Sequence, residues 1–485
     1  MHLVLRRLTI FLSPTGDSNT IRGRSYLNND SISYKRLNKG CIFTIMALAI
    51  PTMIENILQV LIGTADTYFV SKIGTEAVAA VGITNLIMNI YIAFFIALGV
   101  GTVAIVSRNI GANEFENANN AVKQSIILAL GVGISFGIIN FIFAKDILLF
   151  LGAEERVIKY ALPYFYSVAV PAVFLCLMLI LSSSLRGAGD TKTPMKIAIV
   201  SNIINIVLDY VLIFGIFDFK GLGILGAGIA TTVSRIVGVS LLLIKINGNE
   251  TRLHINIFDK WEIRKDVMQS IAKIGLPAGV DKLIMRFGQL VYGGLIIQIG
   301  TEAYAAHNIA GTIEAYSYLP GMGFGVAATT LVGQSLGANN ADEAKQYGLI
   351  SYILSTGFMV VVGAIFYIFA PVLAGLFSED IEVIGLVVKV LRIIALVQPF
   401  LCSTLVITSA LHGAGDTKFP MYSTFIGIWG VRVLGVYLLG IRLNYGLFGV
   451  WLAVSIDIVI RGIILMIRFM KGEWKKNKNR IRTYI

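Results

Sequence analysis

The chain has 485 residues, of which 56% are hydrophobic and only 14% charged, and its mean hydropathy is +0.78. A soluble domain carries about 25% charged residues, so a soluble protein is excluded, and the lack of strand-like alternation leaves helices as the way to satisfy the backbone in lipid. The formal net charge of +12 would suit nucleic acid, but the basic residues gather in tails and short loops as the positive-inside rule places them, so no nucleic-acid partner is expected.

Residues 1–40 are polar and basic, with Arg6, Arg7, Arg22, Arg24, Lys35, Arg36 and Lys39. The apolar run 8–12 is too short to span, and no small-residue cleavage site follows it, so this stretch reads as a cytoplasmic tail and not a signal peptide. Apolar segments then fall near 44–71, 78–107, 120–145, 157–185, 193–217 and 224–246, and again near 270–298, 303–334, 345–374, 384–411, 419–440 and 446–470. Each is long enough for a hydrocarbon core of ~30 Å. They are numbered spans 1 to 12 in chain order. The expected organisation is a basic cytoplasmic tail (1–40), an amino-terminal six-helix bundle (41–247), a cytoplasmic linker (248–269), a carboxy-terminal six-helix bundle (270–471) and a second basic cytoplasmic tail (472–485).

Loop charges agree in sign. Loops expected inside hold Arg108, Lys123, Arg186, Lys192, Lys196, Arg252, Lys260, Arg264, Lys265, Lys345 and Lys418, whereas those expected outside are mixed or acidic, as at Lys145, Asp146, Glu154 and Glu155. The fold class is therefore an all-α polytopic membrane protein, with twelve transmembrane helices, both termini cytoplasmic and the cell (plasma) membrane as its location. A monomer is expected.

The two halves repeat. Residues 187–192 read Gly-Ala-Gly-Asp-Thr-Lys and recur at 413–418, an offset of 413 − 187 = 226. Gly111-Ala112-Asn113 recurs at Gly337 (337 − 111 = 226), Pro51 matches Pro277, and Ile73 matches Ile299 in a shared Ile-Gly-Thr-Glu. Six spans per half give both halves the same orientation, so the repeats are parallel, with the substrate path between them. The glycine-rich turns lack the spacing of a phosphate loop. They read as structural hinges in which Asp190 or Asp416 caps the next helix.

Polar residues present in one half only need another reason. Span 1 carries Glu55, Asn56, Gln59 and Asp66, and an ionised carboxylate at a helix centre costs about 2.5–3.5 kcal/mol on insertion scales. Span 5 holds Asn202, Asn205 and Asp209 at i, i+3 and i+7, one helix face. At offset 226 their counterparts are apolar or neutral: Tyr292 for Asp66, Val431 for Asn205 and Gly435 for Asp209. Asp66 and Asp209 each lie about 9–14 Å of helix rise from the outer end, so the two acids share a depth. Asp66, Asn202, Asn205 and Asp209 form the candidate cation site for Na⁺ or a proton, and Thr231 in span 6 is a weaker candidate that also suits back-bonding to its own helix. The plainer alternative pairs each acid with Arg235. Pro51 leaves a carbonyl of span 1 without its helical donor and makes that helix a candidate hinge.

In the second half, Asp281, Lys282, Arg286, Arg432, Asp457 and Arg461 read as structural ion pairs, and Lys389, Arg392 and Gln398 as snorkelling or cavity-lining groups. Cys41, Cys176 and Cys402 show neither metal nor disulfide spacing, and His2, His254, His307 and His412 are dispersed. No catalytic constellation, cofactor or metal site is visible beyond possible Na⁺ at the cation site, so a transporter and not an enzyme is expected.

These motifs resemble the MATE family, the multidrug and toxic compound extrusion transporters, over about residues 42–470. The resemblance rests on the pattern P-x-x-x-E-N-x-x-Q…A-D-T at 51–67, the paired GAGDTK turns, and N-I-V-L-D-Y-V-L-I-F-G at 205–215. It implies two six-helix bundles around a V-shaped cavity. It also implies export of amphipathic, often cationic compounds in exchange for H⁺ or Na⁺, with Asp66, Asn205 and Asp209 at the cation site. Met285 stands where some relatives carry a glutamate eight residues after the proline, and 384–411 holds no acid. This resembles prokaryotic members that depend on the amino-terminal half. A lipid-linked oligosaccharide flippase of the same superfamily is the alternative, and it would need a strongly basic cavity.

With both tails inside, cysteines placed at Ser13 or Lys478 should resist a membrane-impermeant thiol reagent in intact cells and react once the cells are opened. Labelling of either from outside would remove this topology.

Overall fold

The computed structural model describes residues 30–217, 219–248, 251–256 and 261–477. Residues 1–29, Lys260 and 478–485, and with them Ser13, Lys478 and the first arginines of the tail, lie outside the described residues. The chain forms two compact units, 1–41 and 42–485. Of the first, residues 30–41 are helical. The second contains all of the apolar segments.

Span 1 is the end of the helix Asp30–Ser71, which starts inside the stretch expected as tail. Spans 2 and 3 are Thr75–Gly111 and Phe115–Phe150. Span 4 is broken into Glu155–Val168 and Ala172–Gly187, bent by 45°. Spans 5 and 6 are Lys192–Phe214 and Ile224–Asn247, joined by a two-residue hairpin, Gly215–Ile216 with Phe219–Lys220, that the sequence does not announce. Spans 7 to 10 are Lys265–Ile297, Thr301–Gly337, Ala341–Gly375 and Ile381–Gly413. Spans 11 and 12 are Lys418–Arg442 and Gly446–Lys471. Among the described residues nine helices, ten with the bent pair, are long and apolar enough to cross a membrane. Spans 7 and 8 are as long, at 33 and 37 residues, but carry Asp281, Lys282, Arg286, His307 and Glu314.

The break in span 4 has local causes and local remedies. Pro171 has no N–H, so the carbonyl of Ser167 loses its helical donor, and Thr232 supplies a hydroxyl at 2.5 Å. The carbonyl of Ala169 accepts from Asn140 at 2.8 Å, and Asn140 in turn accepts from the Tyr91 hydroxyl. These two carbonyls are thereby satisfied by side chains of neighbouring spans. In the turns between spans, Asn113 and Asn339 adopt φ of 60° and 62°, the left-handed conformation that asparagine tolerates. Asp190 caps span 5 by accepting from the Thr193 amide at 2.9 Å. Asp416 instead pairs with Arg468 at 3.1 Å, so the repeated turn has acquired two uses.

Two apolar cores form, and they do not follow the expected boundaries. The amino-terminal core includes Ile271 and Ile274 from span 7, while the carboxy-terminal core includes Ile45, Leu48 and Ala49 from span 1. These positions are repeat counterparts (271 − 45 = 226 and 274 − 48 = 226). The first helix of each half thus lends its basic end to the other half. Small residues make the crossing close. A methyl group on Gly275 or Gly101 would strike the backbone of Ala97 or Ile271, and one on Gly323 would meet Ala49 and Met53. The linker belongs with the first core, through buried Leu253 and Ile255 and through Gln124, which bonds Glu262 and Arg264. The start of the second tail belongs with the other, as Trp474 stacks on Phe469 with ring centroids 5.1 Å apart.

Spans 2 and 8 close the basic end. Gly111 and Gly337 each face the backbone of the opposite helix, at Gln334 and Arg108. Thr330 donates to the carbonyl of Arg186 at 2.9 Å, and Gln334 donates to that of Gly187 at 3.0 Å. Away from this seam, a cavity of about 500 Å³ opens between Val60 and Thr64 of span 1 and residues of span 8 from His307 to Tyr316.

Within spans 5 and 11 the repeat register slips once. Pro194, Ile197, Ala198 and Ser201 share burial with Pro420, Ser423, Thr424 and Gly427 at offset 226 (420 − 194). Asn205, Asp209 and Ile213 share it with Arg432, Val436 and Gly440 at offset 227 (432 − 205). The extra residue falls within Ile426–Val433, which is π-helical, and a π-turn absorbs one inserted residue. The expected counterparts Val431 and Gly435 are therefore replaced by Arg432 and Val436.

Gly111→Leu and Gly337→Leu should each destabilise the closed seam by about 1–3 kcal/mol, the usual cost of overpacking. Gly131→Leu, where an added side chain meets open space, is the control. Thermal unfolding of the three purified variants measures the difference.

Candidate functional site

Asp66 and Asp209 adjoin, and each lies within the electrostatic field of the other. Asp209 is 1% exposed, and apart from the Asp66 carboxyl beside it, with which it can share a proton, neither of its carboxylate oxygens has a hydrogen-bond donor. The Oδ1 atom of half-buried Asp66 is likewise without one. Asn205 is buried one helical turn from Asp209, with an unpartnered Nδ2, and Asn202 sits a further turn along with its Nδ2 also unpartnered. Such a run of buried, unsatisfied polar atoms is costly unless something is bound there.

Two residues complete the wall. Tyr164, from the first arm of span 4, is buried and feels Arg235, Asp66 and Asp209. Arg235, from span 6, stands within electrostatic reach of Asp66, yet no ion pair joins it to either acid among the described residues, and its Nη1 is unpartnered. The plainer reading, in which each acid is simply paired with Arg235, is not what the geometry shows. Thr231 lies one turn from Arg235 and donates to the Ala227 carbonyl of its own helix at 3.0 Å. Tyr164 was not legible as part of the site, because its place depends on the bend in span 4. Pro51 lies inside a helix that stays α-helical on both sides of it.

In the other half one buried acid, Asp457, is fully paired. Asp457 is fully buried and accepts from Arg432 Nε at 2.9 Å and from Arg461 Nε and Nη2 at 2.7 and 2.8 Å. The Arg432 guanidinium lies 5.8 Å from the ring centre of Tyr292, the counterpart of Asp66. Glu314, buried in span 8, accepts from the Tyr318 hydroxyl at 3.4 Å and lies within reach of Arg432. Nothing in the sequence singles it out. Nor does the sequence signal that Glu55 is 4% exposed and pairs with Arg186 at 2.6 Å. Their repeat counterparts, Asp281 and His412 (281 − 55 = 226 and 412 − 186 = 226), are both buried and also face one another electrostatically. Asp281 makes no ion pair with Lys282 or Arg286 among the described residues, and Arg286 bonds Gln289 instead. Gln398 is fully buried, while Arg392 reaches the Tyr367 ring at 5.5 Å.

The comparisons bear on the fold and the family. A family model described as MatE matches residues 51–211 and again 277–438, two stretches whose starts differ by 277 − 51 = 226 and whose ends differ by 438 − 211 = 227. A probable multidrug resistance protein NorM of Thermotoga maritima is 32% identical over 434 residues, covering 89% of this chain and 93% of that one. A FAD transporter of Shewanella oneidensis is 30% identical over 344 residues, 70% of this chain and 75% of its own length. Among solved structures, an outward-facing multidrug resistance MATE family transporter of the MOP superfamily superposes with a TM-score of 0.83 at 26% identity, covering 90% of this chain and 96% of that one. A two-bundle helical membrane protein with an unsatisfied acidic pair in one bundle, matched by this family model in both halves, belongs to the MATE family and is a secondary transporter, not an enzyme.

Proposed function

We propose that this chain is a cation-coupled antiporter that exports amphipathic, cationic compounds, including drugs, across the plasma membrane in exchange for H⁺ or Na⁺. It works as a monomer with both termini in the cytoplasm. The observation that carries this reading is the adjoining pair Asp66 and Asp209, two carboxyls that have each other and no basic partner. Buried charge without compensation costs several kcal/mol, so binding a proton or Na⁺ removes a penalty that the empty site bears. Occupancy therefore biases packing around spans 1 and 5, with Pro51 the hinge at which span 1 bends. Asn202, Asn205 and Thr231 supply neutral oxygens around the acids.

The substrate is placed in the cavity between spans 1 and 8, whose volume of about 500 Å³ suits a drug-sized molecule. Its lining includes His307 but no lysine or arginine. This speaks against the alternative of a lipid-linked oligosaccharide flippase, which would need cationic groups for its phosphates. The drug-efflux names of relatives such as the Thermotoga maritima protein support the export reading.

Asp66→Asn should abolish gradient-driven export in proteoliposomes while the protein still inserts and folds, because the amide is isosteric and uncharged. Asp209→Asn should do nearly the same. Imposing ΔpH and a Na⁺ gradient independently identifies the coupling ion. Wild-type export by Asp66→Asn at normal expression would overturn the proposal. In contrast, Asp457→Asn removes one partner of a buried ion network and should chiefly lower stability, by about 3–5 kcal/mol, measured by thermal unfolding.

A further inference from the structure

We infer that Arg432 is a tethered cation: its guanidinium fills, in the carboxy-terminal bundle, the place that an exchangeable cation takes in the amino-terminal one. The inference rests on the cation-site reading of Asp66, Asn205 and Asp209. Three observations carry it. First, the one-residue slip at Ile426–Val433 makes Arg432 the counterpart of Asn205 and Val436 that of Asp209 (432 − 205 = 227 and 436 − 209 = 227), with Tyr292 opposite Asp66 (292 − 66 = 226). Second, the guanidinium stands over the Tyr292 ring at 5.8 Å, an aromatic face where the first half presents a carboxylate. Third, the two bundles differ in what is left over. Asp209 has the Asp66 carboxyl beside it and no basic donor, whereas both oxygens of Asp457 are bonded, with Arg432 and Arg461 as the donors.

Acid and base have also changed places. The first half has its acid on span 5 and its arginine, Arg235, on span 6. The second has its arginine on span 11 and its acid on span 12. Glycines set the second register: Gly226 packs against Leu212 and Gly449 against Leu439, so spans 6 and 12 are offset by 449 − 226 = 223. At that offset Asp457 occupies the place of Ser234 (457 − 234 = 223), beside Arg235 in the first half. A cation fixed to the backbone cannot be released, so this bundle keeps its loaded packing through the cycle and only the amino-terminal bundle alternates between loaded and empty.

If so, deleting the guanidinium leaves a site that a free cation of the same shape refills. The test is thermal unfolding of purified Arg432→Ala, with methylguanidinium chloride titrated in the millimolar range against choline chloride at constant ionic strength. The expected result is a saturable rise in Tm of about 5 °C for Arg432→Ala, the size a ligand well above its Kd produces. No rise is expected for the wild type, for the neighbouring Val431→Ala, or for Arg432→Gln/Asp457→Asn, in which charge and counter-charge are removed together. A flat response of Arg432→Ala, or an equal response of Val431→Ala, overturns the inference. Should Arg432→Ala not accumulate folded, its yield from cells supplied with methylguanidinium decides instead: recovery supports the inference and no recovery overturns it. Rescue of Arg432→Ala alongside full export by Asp66→Asn would remove the amino-terminal reading alone. A flat response alongside inactive Asp66→Asn would remove only the tethered cation.

Discussion

A charge taken out of water must be compensated within the protein, and this constraint organises the molecule. Span 1 alone carries two such charges. Glu55, at 4% exposure, is compensated by Arg186 at 2.6 Å, a permanent partner that ties span 1 to the end of span 4. Asp66, about three turns further along, has the Asp209 carboxyl beside it and no ion pair among the described residues. One helix thus holds a fixed ion pair near the closed seam and an uncompensated acid beyond it. The first anchors the helix, and the second is left to answer to whatever binds.

The repeat makes this division legible by contrast. Shared residues build turns and seams: the asparagines at positive φ, the glycines that let spans 2 and 8 meet backbone to backbone, and the apolar ends exchanged by spans 1 and 7. Residues that differ between the halves carry charge. Asp457 with Arg432 and Arg461 is a closed network whose donors and acceptors are matched, and networks of that kind rigidify what they join. The amino-terminal cluster has the same kinds of group in an open arrangement.

Much of the fold was written in the sequence. Span number, the offset of 226 and the convergence of Asp66 with Asp209 followed from apolar length, repeated turns and helical spacing, all of which are local or periodic signals. What escaped the sequence was not local. The counterparts of Asn205 and Asp209 were misassigned because a single π-helical insertion changes register without changing hydropathy, and only the burial of Arg432 and Val436 exposes it. Tyr164 joins the site because span 4 bends by 45°, an angle set by Pro171 together with the partners on spans 3 and 6 that satisfy the freed carbonyls. Glu55 has no local mark in the sequence, since its partner Arg186 is distant along the chain. The π-helix and the hairpin at Gly215–Ile216 leave no periodic trace at all.

The exchange of helix ends between the two cores bears on biogenesis. The amino-terminal core includes Ile271 and Ile274, so a ribosome that has delivered only the first six helices has delivered a core with a gap in it. During that interval Ile45, Leu48 and Ala49 of the first helix have no native neighbours, because the core they join has not yet been made. In the folded protein the linker residues Leu253 and Ile255 are part of the same amino-terminal core. Severing the chain at that linker would divide each core between two polypeptides, so neither fragment alone would contain a complete one.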